Sequence, residues 1–121
     1  MPTFGNGKIC YLEIPALDLN QSSAFYRDVF DWDLRTRSDG SVAFDDGVNE
    51  VSGTWVLDRS PMTEPGILIW IMVPDAQKSA DRVLEHGGTV VLPVDPDASE
   101  KLARFRDPAG NVLGIYQEDN S

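Results

Sequence analysis

The chain has 121 residues, with 20 acidic and 10 basic side chains and a formal net charge of -10. Its length is close to the usual size of one domain, and a hydrophobic content of 41% is typical of a globular protein. The negative charge repels phosphate backbones and anionic lipid headgroups, so we expect neither nucleic acid nor a membrane surface as a partner. Cys10 is the only cysteine, which excludes an internal disulfide. Because no apolar signal segment stands at the N-terminus, we expect a reduced, cytoplasmic setting.

The first half of the chain carries the signals of a βαβββ module. An extended segment over residues 8–14 precedes a helix predicted from Leu19 to Phe30, with Asp18 as its N-cap. Turn signals at Asp39-Gly40 and Asp46-Gly47 then separate three short extended pieces. These predicted strands span residues 32–37, 41–44 and 50–57.

The second half repeats this order. A strand over residues 67–73 leads into a helix capped by Pro74-Asp75 and ended by Gly87-Gly88. Three further strands are predicted over residues 89–94, 101–106 and 111–117.

The spacing of matching segments indicates two copies of one module. Ile14-Pro15 and Val73-Pro74 are 59 residues apart, and the segments around Gly53 and Gly114 are 61 apart. We therefore predict an α+β fold of two tandem βαβββ modules in a single domain over residues 1–121. The modules are expected over about residues 8–58 and 66–118.

Strand alternation separates two faces in each predicted sheet. One face is aliphatic and is expected to pack under the helices; it includes Cys10, Leu12 and Ile14, then Ile67, Ile69, Ile71 and Val73. The opposite face is richer in aromatic residues, Met and Gly, which predicts a concave surface that binds a ligand. Gly114 is expected to leave open space there. The residues predicted to form this surface are Tyr11, Glu13, Leu68, Trp70, Met72, Val112, Gly114 and Tyr116.

Four segments together resemble the vicinal oxygen chelate superfamily, which includes glyoxalase I, bleomycin-resistance proteins, fosfomycin-resistance enzymes and extradiol dioxygenases. They are YLEIPALDL at residues 11–19, AFYRDVFDW at 24–32, EHGGTV at 85–90 and RDPAGNV at 106–112. The chain is most similar to glyoxalase-like bacterial proteins. The resemblance implies paired modules whose mixed sheets curl around a cavity, and sites between two chains, hence a homodimer.

The superfamily's chemistry, as the resemblance implies, uses a divalent metal held by His, Gln or Glu side chains. The corresponding positions here are Tyr11, Leu68, Gly114 and either Ser52 or Gly53, since the register of the fourth strand is open. Leu68 and Gly114 have no ligand atom in their side chains, and a neutral Tyr or Ser is a poor ligand for these ions. We therefore expect no metal and no other cofactor.

Three functions remain open. The first is a protein that binds a small apolar or aromatic molecule in a metal-free cavity. The second is a glyoxalase-like lyase or isomerase, related to lactoylglutathione lyase. In its metal-free version, burial is expected to raise the pKa of the Glu13 carboxyl, which acts as a general base while Tyr11 donates a hydrogen bond. In its metal-dependent version, Glu13 or Glu50 holds the metal. The third is a protein-interaction module whose aromatic face is covered by another protein.

Two charged features have alternative interpretations. Glu13 could instead form an ion pair with a nearby arginine at the sheet rim. Arg104 and Arg106 alternate on the seventh predicted strand and could reach an anionic ligand, although solvent-facing charges are commoner on strands.

Overall fold

The computed structural model describes residues 3–117 and divides the chain into two compact units at Ser60 and Pro61. Each unit has the element order βαβββ, so the predicted α+β architecture of two tandem modules is confirmed. Residue 118, the predicted end of the second module, lies outside the described residues. Neither helix within residues 3–117 has the length and apolar character needed to cross a membrane.

Each unit contains one helix and four short strands. The first unit has β1 (Tyr11–Pro15), α1 (Leu19–Phe30), β2 (Asp33–Thr36), β3 (Val42–Asp45) and β4 (Ser52–Val56). The second has β5 (Trp70–Val73), α2 (Ala76–Glu85), β6 (Thr89–Leu92), β7 (Leu102–Arg106) and β8 (Val112–Gln117).

The strands of each unit form one open, mixed sheet. The order is β1-β4-β3-β2 in the first unit and β5-β8-β7-β6 in the second. The first and last strands of each unit pair in parallel, whereas the other neighbours are antiparallel. Because the helix follows the first strand, it crosses back over one face of its own sheet.

Aspartate side chains cap both helices at the predicted positions. The Asp18 carboxylate accepts a hydrogen bond from the Gln21 amide at 2.9 Å, and Asp75 accepts one from the Lys78 amide at 3.1 Å. These bonds satisfy backbone donors that have no partner within the helix. After α2 the chain turns at Gly87, whose φ of +96° is the left-handed conformation that glycine favours.

The core of the first unit is aromatic. The Trp32 ring stacks on Tyr26 and on Phe44 at centroid distances of 4.7 and 4.5 Å, and Trp55 lies 4.9 Å from Phe44. All four side chains are buried. Phe44 also covers Gly53, where a Cβ atom would approach the ring to 2.4 Å, so this position requires glycine.

The core of the second unit is mainly aliphatic. Its helix contributes small side chains and Val83, which let the helix lie close to the sheet. The buried apolar residues are Val73, Ala76, Ala80, Val83, Ala103, Phe105, Ala109, Val112, Leu113 and Ile115.

Two residues assigned to the aliphatic faces are exposed to solvent. Ile67 is 80% exposed, because β5 begins only at Trp70. Cys10 is also exposed, since it precedes β1. The predictions that Ile67 and Cys10 pack under the helices are therefore wrong.

A buried carboxylate organises the turn between β7 and β8. Asp107 is 3% exposed and accepts hydrogen bonds from the amides of Ala109, Gly110 and Asn111 at 2.9–3.1 Å. Its other oxygen accepts one from the Asn111 side chain at 2.9 Å. The side-chain oxygen Oδ1 of Asn111 in turn accepts a hydrogen bond from the Met62 amide at 2.7 Å, which ties the segment before β5 to this turn.

Replacing this carboxylate should destabilise the protein strongly. In Asp107→Ala, four donors lose a buried, charged acceptor, and we expect the free energy of unfolding to fall by about 3 kcal/mol. The control Asp97→Ala removes an exposed carboxylate and should change stability by less than about 0.5 kcal/mol. Urea denaturation followed by circular dichroism measures both. Equal effects of the two substitutions would contradict this role of Asp107.

Candidate functional site

The helix of each unit covers one face of its sheet. The opposite face, which this helix does not cover, is called the helix-free face. In the first unit, the rings of Phe44 and Trp55 face the helix, since both contact α1 aromatics or their neighbours. Residues of the opposite parity form the helix-free face. This places Tyr11 and Glu13 on that face in the first unit, and Trp70, Met72, Val112, Gly114 and Tyr116 on that face in the second.

The strand register settles which residue of the fourth strand lies beside Tyr11. Ser52 pairs with Tyr11 and shares the helix-free face, whereas Gly53 lies on the helix-covered face. In the second unit Gly114 pairs with Trp70. The structural counterpart of Gly114 is therefore Ser52, and not Gly53 as the 61-residue spacing indicates.

The helix-free face of the second unit carries a stack of three residues, here called the column: Gly114, the Trp70 ring above it and the Arg104 guanidinium over that ring. A Cβ atom on Gly114 would lie 2.3 Å from the Trp70 ring, so the indole occupies the space directly above this glycine. The expectation that Gly114 leaves that space open is therefore wrong. The guanidinium of Arg104 lies over the same ring, 5.8 Å from its centroid, which is within the range of a cation–π interaction.

A cavity of about 450 Å³ lies next to this column within the second unit. Two of the predicted ligand-binding residues, Leu68 and Val112, line it. Leu68 does so from the segment before β5 rather than from a strand. The cavity is also lined by Thr63, Glu64 and Val91, for which the sequence pattern predicts no ligand contact, and by Arg104 and Arg106, for which contact with an anionic ligand was one of two interpretations.

A β-bulge brings Val91 to this cavity. The pairing of β6 with β7 passes from Val90 opposite Phe105 to Leu92 opposite Arg104, which leaves Val91 as the extra residue. A bulge re-aims side chains and breaks the alternation of faces. Alternation along the sequence therefore gives no signal for Val91 as a cavity residue.

The other predicted residues of this face lie further along the sheet. Met72 pairs with Tyr116; Met72 is 68% exposed and Tyr116 is half-buried. Neither lines the cavity. Together they extend the apolar surface beyond the column.

Glu13 forms an ion pair with Arg59 at 2.8 Å, with both side chains about half exposed. The hydrogen bond from Arg59 to this carboxylate, together with its negative charge, raises the pKa of Arg59. The geometry matches the ion-pair interpretation of Glu13, and the burial that the general-base hypothesis needs is absent.

Tyr11 forms a side-chain hydrogen bond on the helix-free face of the first unit. Its hydroxyl oxygen accepts a hydrogen bond from the guanidinium of Arg37 at 2.9 Å, and this bond raises the pKa of Arg37. The Tyr11 side chain is 45% exposed, so its O–H remains accessible as a donor.

The four positions that the superfamily resemblance assigns to metal ligands do not fit a divalent ion. Leu68 and Gly114 have no donor atom, and Trp70 covers Gly114. The Ser52 hydroxyl donates to the Asp45 carboxylate at 2.6 Å. Within residues 3–117, no group of three or more His, Cys, Asp or Glu side chains is placed to hold a metal ion.

The alternative carboxylate ligand, Glu50, also has a cationic partner. Lys8 donates a hydrogen bond to it, and Thr3 donates from both its amide and its hydroxyl. The Lys8 bond is the main reason why the pKa of Glu50 lies below its ordinary value. A metal at Glu50 would have to displace this lysine.

Comparison with known proteins gives one family and several similar structures. The model of the Glyoxalase/Bleomycin resistance protein/Dioxygenase superfamily matches residues 8–115. The hypothetical protein SA1046 from S. aureus is similar with a TM-score of 0.74 and 18% identity, over 95% of this chain and 96% of that one. A search of curated proteins finds no match.

Two further similar structures have descriptive names. TnmS3, an antibiotic binding protein from Streptomyces sp. CB03234, has a TM-score of 0.68 and 23% identity over 97% of this chain and 100% of that one. A glyoxalase/bleomycin resistance protein/dioxygenase family enzyme from Burkholderia phytofirmans PsJN has a TM-score of 0.67 and 21% identity, over 88% and 95% of the two chains. At these identities the similarity shows a common fold.

The packing of Trp70 on Gly114 can be tested with a double-mutant cycle. Gly114→Ala should lower the free energy of unfolding by about 2 kcal/mol in the native sequence, because the methyl group enters the space of the indole. In a Trp70→Leu background the same change should cost little, since the shorter side chain can move aside. Gly66→Ala, at a position with nothing within 4 Å, is the matched control and should be nearly neutral. An equal cost of Gly114→Ala in both backgrounds would refute the packing.

Proposed function

Because the chain belongs to the Glyoxalase/Bleomycin resistance protein/Dioxygenase superfamily, we propose that it is a binding protein that holds a small apolar or aromatic molecule, without a metal, on the helix-free face of its second unit. The observation that carries the proposal is the cavity of about 450 Å³ beside the Trp70 column. Its volume lies in the range of small-molecule sites, which is about 300–1,000 Å³.

Part of the cavity wall is aliphatic and suits an apolar ligand. Leu68, Val91 and Val112 supply aliphatic surface, and Val91 is 44% exposed, so a ligand has apolar area there to cover. Trp70 is 41% exposed beside it, and Gly114 and Arg104 hold its ring in place. A ring that is already ordered loses little side-chain entropy when a ligand contacts it.

The comparison with TnmS3 supports a binding role, since that similar structure is an antibiotic binding protein. The ion pair of Glu13 with Arg59 gives this carboxylate a structural partner. Catalysis by Glu13 and Tyr11 is therefore not part of the proposal.

Titration with a neutral aromatic probe tests the binding site. For naphthalene-2-carboxamide, with about 13 non-hydrogen atoms at about 0.3 kcal/mol each, we expect a Kd near 1 mM. Amide chemical shifts in two-dimensional NMR should change around Leu68, Val91 and Val112. Leu68→Asn removes apolar wall without adding charge and should weaken binding about tenfold.

The control substitution is Leu57→Asn, which changes a 60% exposed leucine of the first unit and should leave the Kd unchanged. Shifts confined to other residues, or no saturable shift up to about 10 mM probe, which is tenfold above the expected Kd, would contradict the proposed site.

Elemental analysis tests the metal-free part of the proposal. The full chain is purified without chelator and then incubated with nickel, zinc, manganese or ferrous iron. We expect well below one bound ion per chain, because Leu68 and Gly114 supply no donor and Glu50 is held by Lys8. One tightly bound ion per chain would overturn this part, and its loss in Glu13→Gln or Glu50→Gln would identify the carboxylate that holds it.

A further inference from the structure

Two arginines line the cavity of the second unit and form no ion pair with a carboxylate of residues 3–117. Arg104 and Arg106 lie two residues apart on β7, so both project from the helix-free face, where they pair with Gly114 and Val112 of β8. Four other cations of residues 3–117 do have carboxylate partners: Lys8 pairs with Glu50, Arg27 with Asp28, Arg35 with Asp45 and Arg59 with Glu13. Neither cavity arginine is in any of them.

This arrangement is notable in a chain with twice as many acidic as basic residues. In such a chain a basic side chain usually has a carboxylate close enough for an ion pair, as Arg35 and Arg59 have. Two adjacent guanidinium groups without one repel each other, which leaves a local excess of positive charge beside the cavity. An anion that enters the cavity relieves this repulsion.

The Trp70 ring positions one of these groups. With its guanidinium 5.8 Å from the ring centroid, Arg104 is held over the indole, on a ring that itself rests on Gly114. A cation–π contact uses the face of the guanidinium and leaves the N–H groups at its edge available. Those edge donors match a planar carboxylate, which can accept two parallel hydrogen bonds.

One carboxylate among the described residues, Glu64, borders the same cavity. It forms no ion pair with either arginine. Two positive charges and one negative charge leave a local charge of about +1. This balance favours a ligand with a single negative charge over a doubly charged one.

We propose that this cavity binds an aromatic monocarboxylate, with the carboxylate on Arg104 and Arg106 and the ring against Leu68, Val91 and Val112. The inference rests on the proposed function and adds to it the chemical class of the ligand. The charged and apolar walls belong to one cavity of about 450 Å³, so one small molecule can contact both.

A pair of probes with nearly the same shape tests this inference. Naphthalene-2-carboxylate and naphthalene-2-carboxamide differ in charge and share their ring system, and both are titrated into the full chain by NMR at low and high salt. We expect the carboxylate to bind about tenfold more tightly at low salt, because charged hydrogen bonds to guanidinium are stronger than neutral ones. Added salt should reduce this preference and leave the affinity for the amide unchanged.

Charge substitutions locate the preference. In Arg104→Gln/Arg106→Gln the carboxylate should lose its advantage, while Lys78→Gln, an exposed cation on α2, should keep it. Glu64→Gln should tighten carboxylate binding severalfold, because it removes the negative charge of the cavity. This single substitution at an exposed position tests the inference even if the double variant does not fold.

The outcomes distinguish the two proposals. Equal affinity for both probes, or tighter binding of the amide, would overturn the monocarboxylate inference and leave the binding function intact. A carboxylate preference that persists in the double arginine variant, or that is unaffected by Glu64→Gln, would also overturn it. Failure of both probes to bind would overturn both proposals.

Discussion

A single helix on each four-stranded sheet is the constraint on which the structure depends. Each helix follows the first strand of its unit and covers one sheet face, so strand alternation sends half of the side chains into that core. The other half remains on a face that the helix cannot reach. In the second unit this face carries Trp70, Arg104, Arg106 and Val112, so the strand residues of the candidate site follow from the same alternation that builds the core.

The two units keep this plan and differ in the chemistry of their helix-free faces. Where the first unit has Ser52 hydrogen-bonded to Asp45, the second has Gly114 beneath Trp70 with Arg104 above it. The strand register makes Asp45 and Arg104 equivalent positions of the repeat. Asp45 pairs with Ser52 in the first unit, and Arg104 pairs with Gly114 in the second. The charge at one position of the repeat is therefore opposite in the two units. Glycine at the neighbouring position gives the second unit room for a large aromatic ring.

Local signals were sufficient to predict much of the fold. Asp18 and Asp75 mark the helix starts because capping depends only on the next few residues, and alternation assigned most strand faces for the same reason. Features that depend on a neighbouring strand could not be predicted. The bulge at Val91 exists only relative to β7, and the space above Gly114 is filled from another strand by Trp70. The homodimer and the cytoplasmic location involve surroundings outside the chain, and they stay predictions.

The parallel pairing of first and last strands bears on how the chain folds during synthesis. β1 joins its sheet only beside β4, over a segment from Tyr11 to Val56, and β5 joins only beside β8. Within residues 3–117, each sheet is built only from strands of its own unit. The ribosome can therefore release a complete first sheet, with its aromatic core closed, before the second unit has been translated. Within each unit the antiparallel strands are close in sequence, whereas the parallel edge closes the longest loop, so we expect it to form last.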